Sequence, residues 1–87
     1  MSNTTYFVDK INRFTIGQFH EINKYYISIP VRNMLIDYDE YYEINKDTFD
    51  KFLDDPQTAL PFVEQCRERK LDDLLILKPG RDRGDPV

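Results

Sequence analysis

The 87 residues contain one cysteine, one histidine, three glycines and no tryptophan, and each scarcity closes a class of function. Cys66 has no second thiol to pair with, so the stapled architecture of small extracellular domains is excluded. With no Cys or His partner at zinc spacing, Cys66 reads as a small buried hydrophobe. His20, flanked by Phe19 and Glu21, has no activated nucleophile motif to serve. Gly17, Gly80 and Gly84 are scattered, which rules out a glycine-rich phosphate loop. The longest apolar run is Leu74-Leu75-Ile76-Leu77, far short of the ~20 residues that span a bilayer. No charged-then-apolar leader is visible at the N-terminus. A cytoplasmic protein without membrane contact, cofactor or metal is the expectation.

What the chain does have is aromatic residues. Six Phe and six Tyr offset a modest hydrophobic fraction of 40% against 32% charged. Each ring can bury roughly 150–250 Å², and disordered chains lack such residues. A single folded domain is expected over residues 1–78. The segment 79–87, Pro79-Gly80-Arg81-Asp82-Arg83-Gly84-Asp85-Pro86-Val87, has no aliphatic residue before its last and is expected to be a mobile tail. Its Arg83-Gly84-Asp85 spells an integrin-recognition tripeptide, read as chance in a chain with no secretion signal.

The first half is β-rich. Tyr6-Phe7-Val8 is a short run of strand formers. From Arg13 to Phe19, Phe14, Ile16 and Gln18 alternate with Thr15, Gly17 and Phe19, with Gly17 marking a bulge or turn. Tyr25 to Ile29 is the best strand, preceded by a turn over Glu21–Lys24 and stopped by Pro30. Val31 to Ile36 fits strand or short helix. Tyr41 to Ile44 alternates again, with Tyr42 and Ile44 inward and Asp39, Tyr41 and Glu43 outward. The second half is helical. Asn45 or Asp47 can cap a helix carrying Phe49, Phe52 and Leu53, which ends at Asp54-Asp55 because Pro56 follows. A second helix begins between Thr58 and Leu60, with Pro61 in its first turn. It carries Ala59, Phe62, Val63 and Cys66 on one face. Leu74 to Leu77 reads as a buried closing strand. The fold class is α+β, a small mainly antiparallel sheet with two short helices on one face.

The charge is unevenly spread. Eight carboxylates and two lysines lie between Asp37 and Asp55, so this stretch carries −6 while the whole chain carries −4. A field of that density steers a basic partner and pairs with its Arg and Lys, and interleaved tyrosines supply rigid contact area. The candidate partner-binding residues are Asp37, Tyr38, Asp39, Glu40, Tyr41 and Glu43, with Asp47, Asp50 and Asp54 on the same flank. A calcium loop starting at Asp37 fails, because its sixth and twelfth positions hold Tyr42 and Thr48 where glycine and glutamate are required. The loose basic region of Arg67, Arg69, Lys70, Lys78, Arg81 and Arg83 is interrupted by five acids, so direct nucleic-acid binding is not expected.

Small size, acidity, the absence of catalytic motifs and the segment Asp37–Asp55 together resemble bacterial immunity proteins, the inhibitors encoded beside contact-dependent or bacteriocin-type toxins. The resemblance implies a non-enzymatic protein, monomeric until bound. It would occupy the basic cleft of a cognate toxin domain, commonly a nuclease. Two other readings use the same residues differently. A phage-type mimic of nucleic acid would block a restriction or CRISPR nuclease, and a small enzyme would bring His20 and at least two carboxylates into one pocket.

Overall fold

Residues 2–80 and 83–87 are described by a computed structural model of the chain. Its centre is an antiparallel meander. Strands β1 (Asn3–Asp9), β2 (Phe14–Phe19), β3 (Lys24–Arg32) and β4 (Asp37–Ile44) lie side by side in chain order, each joined to the next by a short turn. The turns are made by side chains that imitate backbone. Asp9 Oδ1 accepts from the amides of Ile11 and Asn12, and Asn33 Oδ1 accepts from those of Leu35 and Ile36. Residues 20–23 form the turn between β2 and β3, where Asn23 takes a left-handed φ of 51°.

The sheet has one face turned to the helices. Helix α1 (Lys46–Asp54) is capped by Asn45, whose side chain accepts from the Thr48 amide at 2.8 Å. A 3-10 turn (Pro56–Ala59) leads into helix α2 (Leu60–Arg67), with a proline at its first positions as the sequence demands. Phe49, Phe52, Ala59, Val63 and Cys66 from this layer form one core with Phe14, Ile16, Ile27, Ile29, Tyr42 and Ile44 of the sheet. Burying each Phe stabilises the fold by roughly 1.5–3 kcal/mol. Helix α2 ends with Arg69 in a left-handed conformation, φ 60°. The amides of Arg69 and Lys70 bond back to the carbonyls of Cys66 and Gln65, which satisfies the last turn. The fold is α+β, with a small antiparallel sheet and its helices on one face.

Three expectations are revised. Pro30 does not stop β3, which runs on to Arg32. Its carbonyl accepts from the Val87 amide at 3.1 Å, so its missing N–H also lies on the side away from β4. There β2 has already ended, so the missing N–H breaks no bond of the β2–β3 ladder. Leu74–Leu77 is not a strand. A 3-10 turn (Asp72–Leu74) is followed by one bridging residue, Leu75, opposite Tyr42. Lys78 bonds the carbonyls of Asp72 and Asp73 and folds this stretch back, leaving Leu77 exposed. Of the segment expected to be a mobile tail, Arg83–Val87 lies against the sheet. Strand β5 (Asp85–Pro86) pairs with Val31 and Arg32, in line with β2 along the same edge of β3. Arg81 and Asp82 lie outside the described residues.

Gly17 is explained by contact rather than by a bulge of its own. The irregularity lies across from it in β1, between Thr5 and Phe7. The Tyr26 hydroxyl crosses directly over Gly17, and a Cβ there would also lie 2.6 Å from the Thr4 carbonyl oxygen. Gly17→Ala is therefore expected to destabilise the protein by about 1–3 kcal/mol in urea unfolding, with Tyr26→Phe recovering little because the Thr4 backbone cannot give way.

Candidate partner-binding strand

Strand β4 carries most of the acidic candidates, and its two-residue period decides what each can do. Its register against β3 sets Tyr42 opposite Ile27 and Glu40 opposite Ile29, among the core residues. Asp37, Asp39, Tyr41 and Glu43 therefore project from the opposite face, where no buried helix residue packs. Along the strand these four are spaced by about 6.5–7 Å.

Two candidates are turned inward. Glu40 is 6% exposed. A buried carboxylate is costly unless it is paired and hydrogen-bonded, and Arg83 supplies both. Arg83 Nε donates to Glu40 Oε2 at 2.7 Å and Nη2 to Oε1 at 3.0 Å. The same guanidinium grips Asp72, with Nη1 to Oδ2 at 2.7 Å and Nη2 to Oδ1 at 2.9 Å. The Tyr42 hydroxyl also donates to Glu40 Oε1 at 3.2 Å, and burial beside that carboxylate raises the phenol well above its ordinary range. Asp72 is held below the usual carboxylate range, chiefly by its bonds to Arg83. Tyr38 is half-buried and accepts the Gly84 amide on its hydroxyl at 2.6 Å. Glu40 and Tyr38 hold the C-terminal segment in place from the core side of β4. Arg83 and Gly84, being packed into the molecule, do not present the tripeptide noted above.

The outward residues differ from one another. Arg32 Nε meets Asp37 Oδ1 at 2.6 Å and Lys24 meets Glu43 at 2.9 Å, both on the open surface. Such exposed pairs contribute only tenths of a kcal/mol and give way readily to a partner. Asp39 has no cationic partner among the described residues, and partial burial raises its carboxyl above the ordinary value. Tyr41 is half-buried between Phe19 and Tyr26, with ring centroids at 4.8 and 4.9 Å. Phe19 and Tyr26 pack at 4.7 Å, so the three rings form an aromatic floor that runs from Tyr41 toward Glu43, with Asp39 on the other side of Tyr41.

The helix acids stand apart. Asp47 is in the first turn of α1, Asp50 pairs with Lys46 at 2.7 Å, and Asp54 ends the helix. All three are exposed on the helical layer, so they do not share a surface with Asp39 and Tyr41. His20 lies in the β2–β3 turn with its Nε2 against the Thr4 hydroxyl. Cys66 is fully buried, and its thiol is pushed up to about 12 by desolvation. Among the described residues no group of three or more His, Cys, Asp or Glu side chains is arranged to hold a metal. Among the same residues no helix is long and apolar enough to cross a membrane.

Two features escaped the sequence reading. Met34, Leu35 and Ile36 are exposed at the tip of the β3–β4 hairpin, and Leu77 is exposed as well. The run Met-Leu-Ile between Asn33 and Asp37 was the available signal, since the flanking Asx turn puts such a run at a hairpin tip. Arg83 gave no signal, because its partner Glu40 is 43 residues away. No family model, curated protein or solved structure matches this chain.

The Arg83 network yields a stability test. Arg83→Met leaves Glu40 buried without its counter-ion and is expected to cost about 3–5 kcal/mol in chemical denaturation. Adding Glu40→Gln removes the stranded charge and should recover part of that loss. Because the Asp72 pKa is lowered in the folded state, its contribution is present above the ordinary carboxylate pKa of about 4 and is lost as pH falls through the lowered value. The wild type should lose stability in that window, and Arg83→Met should show a flatter dependence there.

Proposed function

We propose that this protein is a small acidic binding protein of the immunity type, which neutralises a basic toxin domain by covering its cleft. The observation that carries the reading is Asp39, an outward carboxylate without a cation, set beside Tyr41 and its aromatic floor on the helix-free face of the sheet. A partner's Arg or Lys would give Asp39 the counter-ion it lacks in the free protein. Tyr41 would supply contact area already held rigid by Phe19 and Tyr26, at small entropic cost. Asp37 and Glu43 would exchange their own weakly held Arg32 and Lys24 for partner cations. Association would be fast at low salt and would slow as salt screens the field.

In this reading the protein is cytoplasmic, monomeric until bound, and does no chemistry. A toxin that holds substrate phosphates in a basic cleft would lose that cleft to Asp37, Asp39, Tyr41 and Glu43. Partner contact then falls on one narrow strand face rather than on all nine acidic and tyrosine candidates.

The decisive experiment is capture from a related bacterial strain at low and raised salt, followed by assay of the purified captured protein. Support requires that the captured protein be a nuclease or other toxin, that it be inhibited by the wild type, and that Asp39→Asn with Glu43→Gln weaken inhibition at least tenfold. Glu40 must be left intact, since its loss would damage the fold. Asp39 also has a stability signature. A carboxylate whose folded pKa is raised stabilises the fold only when protonated, below its ordinary pKa, and that stability is lost as pH rises through the folded value. At neutral pH, Asp39→Asn is therefore expected to leave the melting temperature unchanged or higher. A clear drop in melting temperature would show that Asp39 has a structural partner and would remove it from the interface.

A further inference from the structure

The outer edge of β4 is only partly used. Tyr41 opposes Ser28 in the β3 register, yet its carbonyl accepts from the Ile76 amide at 2.9 Å on the other side. Backbone groups repeat every two residues along a strand, so Asp39 and Asp37 offer their N–H and C=O groups along this same outer edge. Neither has a backbone partner there among the described residues. After Ile76 the chain leaves the strand, and a groove of about 380 Å³ opens between Ile36, Asp39 and Tyr41 on one side and Leu77 and Pro79 on the other. Ile36 is 60% exposed and Leu77 59%.

The charges around the groove are not equivalent. Arg83 is held by both oxygens of Glu40 and both of Asp72. Lys78 donates to the carbonyls of Asp72 and Asp73. Of the lining carboxylates, that leaves Asp39 as the one without a counter-ion among the described residues. Three recognition elements thus converge: an open backbone edge, an uncompensated carboxylate and two exposed aliphatic walls.

We infer that the groove takes a short extended segment of a partner protein, added as a strand to β4 at Asp37–Asp39, with a Lys or Arg against Asp39 and an aliphatic side chain between Ile36 and Leu77. This rests on the reading of β4 as the partner-binding strand and specifies the form of the segment it takes. Main-chain bonds supply the affinity in this mode, and alternate side chains supply the specificity. The open stretch from Asp37 to Asp39 accommodates about two or three added residues. The molecule already shows the same device on the other side of β3, where Asp85 and Pro86 alone form β5 opposite Val31 and Arg32. A cation directly across from Asp39 makes a favourable cross-strand pair, and an acid there is repelled.

The test is titration of isotope-labelled protein, followed by amide chemical shifts, with the peptide acetyl-Val-Lys-Val-Lys-Val-amide. Three comparison probes are the same peptide with Glu for Lys, the same peptide N-methylated on its backbone, and hexalysine. The expected result is shifts confined to the amides of Asp37, Asp39, Leu77, Lys78 and Gly80. Binding should weaken about tenfold in both Asp39→Asn and Leu77→Ser, and both the Glu peptide and the N-methylated peptide should fail to bind. Equal binding by the N-methylated peptide would reduce the effect to charge alone and overturn the groove. Shifts at these residues that depend on protein concentration without any peptide would assign the edge to a second copy of the chain, which also overturns it. If hexalysine moves Asp39, Tyr41 and Glu43 while the Val-Lys peptide leaves Leu77–Gly80 unmoved, the groove fails and the acidic-strand reading stands. If neither probe moves any of these residues, both fail.

Discussion

One guanidinium holds the architecture to a single arrangement. Glu40 lies on the core side of β4, and its charge there would be prohibitive without Arg83. Because Arg83 also takes Asp72, it ties together the edge strand, the turn after α2 and the C-terminal segment. The other contacts of that segment follow from this anchor. Arg69, in its left-handed position after α2, donates to the Gly84 carbonyl and to Asp85. Gly84 comes so close to β3 that a Cβ would lie 2.5 Å from the Arg32 carbonyl oxygen. With Glu40 fixed inward, the strand period forces Asp39 and Tyr41 outward, so the same pair that closes the core sets the face proposed for binding.

Much of this was written in short-range pattern. Alternation placed β2, β3 and the C-terminal half of β4, and Asn45, Pro56 and Pro61 placed both helices to within a residue or two. The readings that failed depended on distant partners. Pro30 looks like a strand terminator until β2 is known to end before reaching its N–H side, which is a property of β2. Leu74–Leu77 has strand composition, but Lys78 turns the chain away after one bridge. The segment Arg83–Val87 has little hydrophobic reason to order, and what holds it is an ion pair across 43 residues.

The binding surface shows a different conflict. Composition grouped nine residues of one charge character, whereas period and topology divide them. The alternation that sends Tyr42 and Ile44 inward carries Glu40 and Tyr38 with it, and the helix boundary at Lys46 takes Asp47, Asp50 and Asp54 to another layer. Local pairing divides them again, since Asp37, Glu43 and Asp50 each hold a cation of the same chain. On the sheet face the nominal −6 of the stretch therefore shrinks to the charge of Asp39, while Asp47, Asp54 and Asp55 stand without an ion pair among the described residues on the helical layer. An interface built on Asp39 depends on geometry and an aromatic anchor more than on bulk charge.

The late position of Arg83 in the chain bears on the order of folding. The hairpins β1–β2, β2–β3 and β3–β4 close over short turns and lose little loop entropy. The Arg83 clasp must close a far longer loop, and it gains its full bonds only once Glu40 and Asp72 are already in place. It is therefore expected to form after the rate-limiting step. An interaction absent from the transition state leaves the folding rate almost untouched and slows unfolding by nearly its whole free energy. A clasp formed that late is a kinetic latch, setting how long a folded molecule persists rather than how quickly one is made.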